Sequence, residues 1–251
     1  MGDLVDAPIL AAIAGGFGSS TRVPGLAADL LVHDLEGWIS AERLVGGGLD
    51  VLLEAGRRRW PTAAPHVSAA LIWKAYSYWL GVPAVFGWVA ARRVPHLTTA
   101  QVLVRFDDRY APARLGLRAD VPVSVLPGDP LAGTGEPRVR VVGDEGALLA
   151  TLRRTLLDEH VTPLLDTVLG ATRVGRRLLL GSLSAGIAHA AQRAAVVAGA
   201  PPGEMTGQVL RTLGVEGLVE WNAERVRRRT CCLAFTIPHQ RLCADCSIRD
   251  R

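Results

Sequence analysis

At 251 residues, 49% of them apolar and 21% charged, the chain has ample material for a packed core, which excludes a disordered protein. The formal charge is a mild +4 and the cationic side is almost all arginine, Lys74 being the only lysine. With no aromatic-studded basic strand beside it, that balance gives no support to a nucleic-acid partner.

The opening segment "MGDLVDAPILAAIAGGFGSS" is apolar, but it carries Asp3 and Asp6 where a secretory signal would carry positive charge, so a cytoplasmic location is expected. Residues 26 to 57 hold apolar side chains at three- and four-residue spacing (Leu30, Leu31, Leu35, Trp38, Ile39). This predicts a helix, a break at the "GGG" of 46 to 48, and a second short helix. The same glycines lack the G-x-G-x-x-G spacing of a dinucleotide site. A helix is predicted from His66 to Trp79, with Leu71, Ile72, Ala75, Tyr78 and Trp79 as its core stripe. Residues 75 to 91 are uncharged, close to the lower limit of a membrane span. Gly81 and Pro83 interrupt the run and Lys74, Arg92 and Arg93 flank it, which predicts a buried helix pair and no span.

From about 100 to 142 the apolar period becomes two: Val102, Val104 and Phe106; Val121, Val123 and Val125; Val139 and Val141. The clusters "LPGDP" and "GTGEP" separate these runs, and a small antiparallel sheet with hairpin-like turns is expected. The helical period returns at Glu145 along Leu148, Leu152, Leu156, Val161, Leu164, Leu165 and Val168, with a kink or restart at Pro163. A further helix is expected over 173 to 199, closed by "GAPPG", and a last one over 204 to 227. The fold class read from these patterns is α+β, predominantly α-helical, with a small antiparallel sheet in the middle.

Every cysteine lies in "TCCLAFTIPHQRLCADCS", residues 230 to 247, as Cys231, Cys232, Cys243 and Cys246 in the spacing C-C-x10-C-x2-C. Disulfides are disfavoured in a reducing compartment, and a bond between adjacent cysteines is strained. Tetrahedral zinc draws four thiolates from two short C-x2-4-C loops, and only the second pair here has that form. Neighbouring side chains on an extended backbone point to opposite sides, so Cys231 and Cys232 close on one small ion only through a turn. A two-iron cluster spreads its ligands over two metals and relaxes this demand, which favours iron-sulfur while leaving zinc open.

The run Arg228, Arg229, Cys231, Cys232, Leu233, Pro238, Cys243 and Cys246 resembles the C-terminal signature of the FhuF-type ferric-siderophore reductases. More loosely, "LDEHVTPLLDTV" (157 to 168) resembles that family's His-Leu-x-Pro-Leu helix through His160, Pro163 and Leu164. "RRLLLGSLSAGIAHA" (176 to 190) resembles its Leu-Trp-Gly-Asn segment, with Leu180 and Ser182 where Trp and Asn are often found. The resemblance implies a [2Fe-2S] cluster on the four cysteines, with residues 1–222 as a siderophore-binding domain and 223–251 as the cluster module. It also implies one-electron reduction of siderophore-bound Fe(III) in the cytoplasm, fed by a ferredoxin or flavin reductase. The alternative is a zinc-stabilised binding protein without redox activity. Arg228, Arg229 and Arg241 flank the ligands as candidates for tuning the cluster or docking the donor. His160 is the substrate-side candidate, set against a satisfied core histidine.

Overall fold

The computed structural model describes residues 3–18, 23–107, 111–239, 243 and 245–248. Helix α1 (Asp3–Phe17) buries Val5, Ile9, Ala12 and Ile13. Its Asp6 is ion-paired inside the protein with Arg138, so this early acid has a structural role. Strand β1 (Leu26–Val32) occupies the start of the segment expected to be helical. The error has a clear source: Leu30 adopts φ 58° at a bulge, so the buried side chains of Leu26, Leu30 and Val32 fall four and two residues apart and imitate a helical repeat. Strand β2 (Ile39–Ser40) leads into a helical turn, α2 (Ala41–Arg43), capped by the Ser40 hydroxyl. The glycine run then kinks the chain, with Gly47 at φ 108°, before α3 (Leu49–Arg59).

Helix α4 (Pro65–Phe86) starts on a proline, whose missing N–H costs nothing there. It runs through Gly81 and Pro83 as one helix, continued by a wide turn over Gly87–Ala91 that stops where Arg92 turns left-handed. The expected helix pair is therefore a single helix. Among the described residues, no helix is long and apolar enough to cross a membrane.

Strands β3 (Arg93–Pro95), β4 (Val102–Asp107), β5 (Ala111–Arg118), β6 (Val123–Val125) and β7 (Val139–Val141) form two small mixed sheets with β1 and β2, where one antiparallel sheet was expected. The first has the order β1-β5-β4-β2, with β1 parallel to β5. In the second, β3-β6-β7, the Pro/Gly-rich stretch between β6 and β7 is a long excursion. It returns the chain parallel to β6, as no hairpin turn can. Asp129 on this excursion pairs with the buried Arg93 at 2.7 Å.

Helix α5 (Glu145–Leu152) is capped by Asp144 and passes through a wide-turned stretch, Arg153–Val161, into α6 (Thr162–Ala171). Pro163 brings no N–H back to Glu159, whose carbonyl instead receives the Thr99 N–H at 3.4 Å. Helix α7 (Arg176–Ala198) ends on left-handed Gly199. Helix α8 (Pro202–Leu213) stops well short of the expected 227, because left-handed Gly214 closes it. A hairpin of β8 (Val219–Trp221) and β9 (Val226–Arg228) follows, straddling position 222. The class is α+β and mainly helical.

His160 is fully buried in this core. Its Nδ1 lies 2.8 Å from the Leu97 carbonyl, which can only accept, so Nδ1 carries the proton and Nε2 accepts from the Tyr76 hydroxyl at 2.6 Å. Both nitrogens are engaged, and none is left for a substrate. Burial lowers its pKa to about 4, while an unfolded histidine titrates near 6.5. The unfolded chain therefore binds the extra proton first. The associated stability, about 3 kcal/mol, is fully present above pH 6.5 and is lost as pH falls towards 4. Denaturant titrations at pH 7 and 4.5 should show a steeper loss in the parent than in His160→Gln.

Candidate iron-sulfur site

The site is built on the seam between α4 and α7, which small residues allow to close tightly. Gly81 faces Ile187, and a methyl on Gly186 would lie 3.1 Å from the Tyr78 backbone. The buried Trp73 ties the helices together through its Nε1–H to the Leu179 carbonyl at 2.9 Å. Lys74 and Tyr78, one turn apart on α4, meet Ser182, Gly186, His189 and Arg193 of α7 around a cavity of 340 Å³, which Arg228 and Asp245 complete.

Strand β9 delivers the cysteines to this seam. Arg228 is buried and donates from Nε to Asp245 Oδ2 at 2.6 Å and from Nη1 to the Ser182 hydroxyl at 3.4 Å, while its backbone N–H bonds the Asp245 carbonyl at 3.1 Å. It thereby clamps both arms of the cysteine segment to α7. Burial works to raise the Asp245 pKa, but His189 at 3.4 Å and the Arg228 guanidinium outweigh it and hold the carboxyl well below its usual range. Arg229 is half-exposed and faces Glu220 at 3.3 Å. Arg241 lies outside the described residues. The cluster-tuning role expected of Arg228 meets a physical limit, because its charge is neutralised by a buried carboxylate at contact distance.

After the vicinal cysteines the backbone turns through left-handed Leu233, φ 64°, whose N–H points to Cys231 Sγ at 3.3 Å. This turn folds the chain back just after the vicinal pair. Cys232 is buried among Val67, Leu71, Ala234 and Ile237. Its thiol hydrogen-bonds Cys243, which makes Cys243 the thiolate of the pair and pushes the Cys232 pKa up. The Lys74 ammonium reinforces that thiolate, with Nζ 2.9 Å from Cys243 Sγ. The C-x2-C loop is closed by the Cys246 N–H on the Cys243 carbonyl at 3.2 Å, with Cys246 buried.

The donor set is thus four thiols, two in contact, with N–H donors on two of the sulfurs. Soft thiolate ligands backed by such donors suit an iron-sulfur cluster. Among the described residues, no three His, Cys, Asp or Glu side chains converge in the manner of a single-ion cage.

The segment defined by these residues is an iron-sulfur domain. Residues 228–246 match the family model described as FhuF 2Fe-2S C-terminal domain, and the cofactor of that domain is a [2Fe-2S] cluster. No curated protein matches the chain. Sequence reasoning missed Lys74, His189 and Asp245. Only Lys74 carried a signal, as the sole lysine beside so many arginines.

Proposed function

We propose that the protein is a ferric-siderophore reductase, in which residues 1–222 shape the substrate cavity and 223–251 carry the cluster. The observation that supports this reading is the cavity itself, which the helical seam and the cysteine segment line together. A ferric siderophore holds its metal through hard oxygen donors, to which the smaller, more highly charged Fe(III) binds far more strongly than Fe(II). A [2Fe-2S] cluster bound at the cysteines supplies single electrons, and one electron converts the chelate to its labile ferrous form. The chain's own residues hold the cysteine loop, through Arg228, Asp245 and Ser182, against the place where the chelate sits. The cycle would then need an external electron donor, a ferredoxin or flavin reductase. Arg229, half-exposed beside Glu220, is the candidate for contacting it.

The test is anaerobic purification with iron, zinc and sulfide analysis, followed by mixing pre-reduced protein with a panel of ferric siderophores and a ferrous trap. Two irons and two sulfides per chain are expected, with one Fe(II) trapped per protein oxidised. Stoichiometric zinc without sulfide would establish the zinc-stabilised binding protein in its place.

A further inference from the structure

The 340 Å³ cavity between α4, α7 and the cysteine segment has a one-sided chemistry. Lys74, Tyr78, Ser182, His189 and Arg193 bring N–H and O–H donors to its wall. Its only carboxylate among the described residues, Asp245, is already engaged by Arg228 at 2.6 Å and His189 at 3.4 Å. The Ser182 oxygen faces the same guanidinium. A wall rich in donors and poor in free acceptors selects a ligand that presents acceptors. The outer surface of a ferric siderophore is such a ligand, because its metal is wrapped in anionic oxygens.

Lys74 is common to the cavity and the cluster ligands. Its Nζ has three N–H bonds, and the one directed to Cys243 Sγ leaves two for a ligand. The volume lies at the small end for ligand cavities, roughly 300–1,000 Å³, so the site takes one face of a chelate while the remainder stays in solvent. A larger cavity of 520 Å³, lined by Arg57, His66 and Arg173 among others, contains no residue of the cysteine segment.

We propose that the smaller cavity is the docking site for the oxygen-bearing face of a ferric chelate, and that Lys74 is a positioning residue shared between the chelate and the Cys243 sulfur. This inference rests on the reductase reading. It adds where the chelate sits and which side chain brings it within one residue of a cluster ligand.

Gallium(III) complexes of a tris-hydroxamate and a tris-catecholate siderophore give the test, since gallium takes the place of iron without accepting an electron. Their affinity for cluster-loaded protein is measured by calorimetry in the parent and in Lys74→Met, Arg193→Gln, Tyr78→Phe and Arg173→Gln. Loss of a charge-assisted hydrogen bond should weaken binding about tenfold or more in Lys74→Met and Arg193→Gln. Arg173→Gln, in the other cavity, should bind as the parent does. Redox titration should place the Lys74→Met cluster at a more negative potential, because a donor to sulfur that favours the more anionic reduced state has gone. Should Lys74→Met fail to retain its cluster, Arg193→Gln and Tyr78→Phe decide the matter. Parent-like affinity in the cavity variants, or a loss confined to Arg173→Gln, overturns the proposal while leaving the reductase reading intact. A parent that binds neither complex overturns that reading together with the site.

Discussion

Asp245→Ala is expected to destabilise the protein by about 3–5 kcal/mol, the range for removing one partner of a buried ion pair and leaving the other charge uncompensated. Arg228 is 4% exposed and its guanidinium has only Asp245 and Ser182 as hydrogen-bond partners among the described residues, so loss of the carboxylate removes its one countercharge at contact distance. For a chain of this size the shift in melting temperature should be about 6–20 °C. Removing both partners, as Arg228→Met with Asp245→Leu, should recover much of that loss, because two well-packed apolar groups leave no orphan charge. Thermal melts of the two forms decide it. A single variant that melts with the parent would mean that the clamp carries little of the folding energy.

The same clamp changes what is expected of the arginines that precede the cysteines. On sequence alone, Arg228 and Arg229 read as equivalent positive charges beside an anionic cluster. In the fold they differ: Arg228 is internally neutralised, and Arg229 stands half in water against Glu220, where an ion pair contributes little. Charge directed at sulfur comes from Lys74, 169 residues earlier in the chain. No local pattern could pair the two, because the contact exists only once α4 and the cysteine segment are packed on α7.

What the sequence made legible follows the range of the interactions involved. The cysteine spacing is local, and the stop of α7 at Gly199 depends on one residue's freedom to turn left-handed. Both could be read directly. The stop of α8 at Gly214 is equally local, yet the helix expected from the sequence runs on to 227. Strand β1 failed for a different reason, since a bulge at Leu30 breaks the two-residue alternation by which a strand is recognised. The two sheets were seen as strands but not in their true pairing, because the parallel partners β1 with β5 and β6 with β7 are brought together by long connections. Ser182 stood out in sequence only as a departure from Asn, and its hydroxyl proves to face the Arg228 guanidinium.

Gly181→Ala should detach the cysteine segment while sparing the helices. A methyl group there would overlap the side chain of Thr230, the residue before Cys231, with its Oγ1, Cγ2 and Cβ all too close to accommodate it. The helix itself favours alanine over glycine by up to about 1 kcal/mol, so α7 should form as well or better. The displacement then falls on the chain between β9 and the vicinal cysteines. Far-UV circular dichroism should match the parent, while iron and sulfide content fall sharply. Thr230 Oγ1 is buried without a hydrogen-bond partner among the described residues, so losing that hydroxyl leaves none of their polar groups unsatisfied. Adding Thr230→Gly to Gly181→Ala removes all three clashing atoms and should restore cluster content towards the parent value. Full cluster loading in the single variant would show that α7 and the cysteine segment do not need this close approach, and would separate cluster assembly from the seam on which the cavity is built.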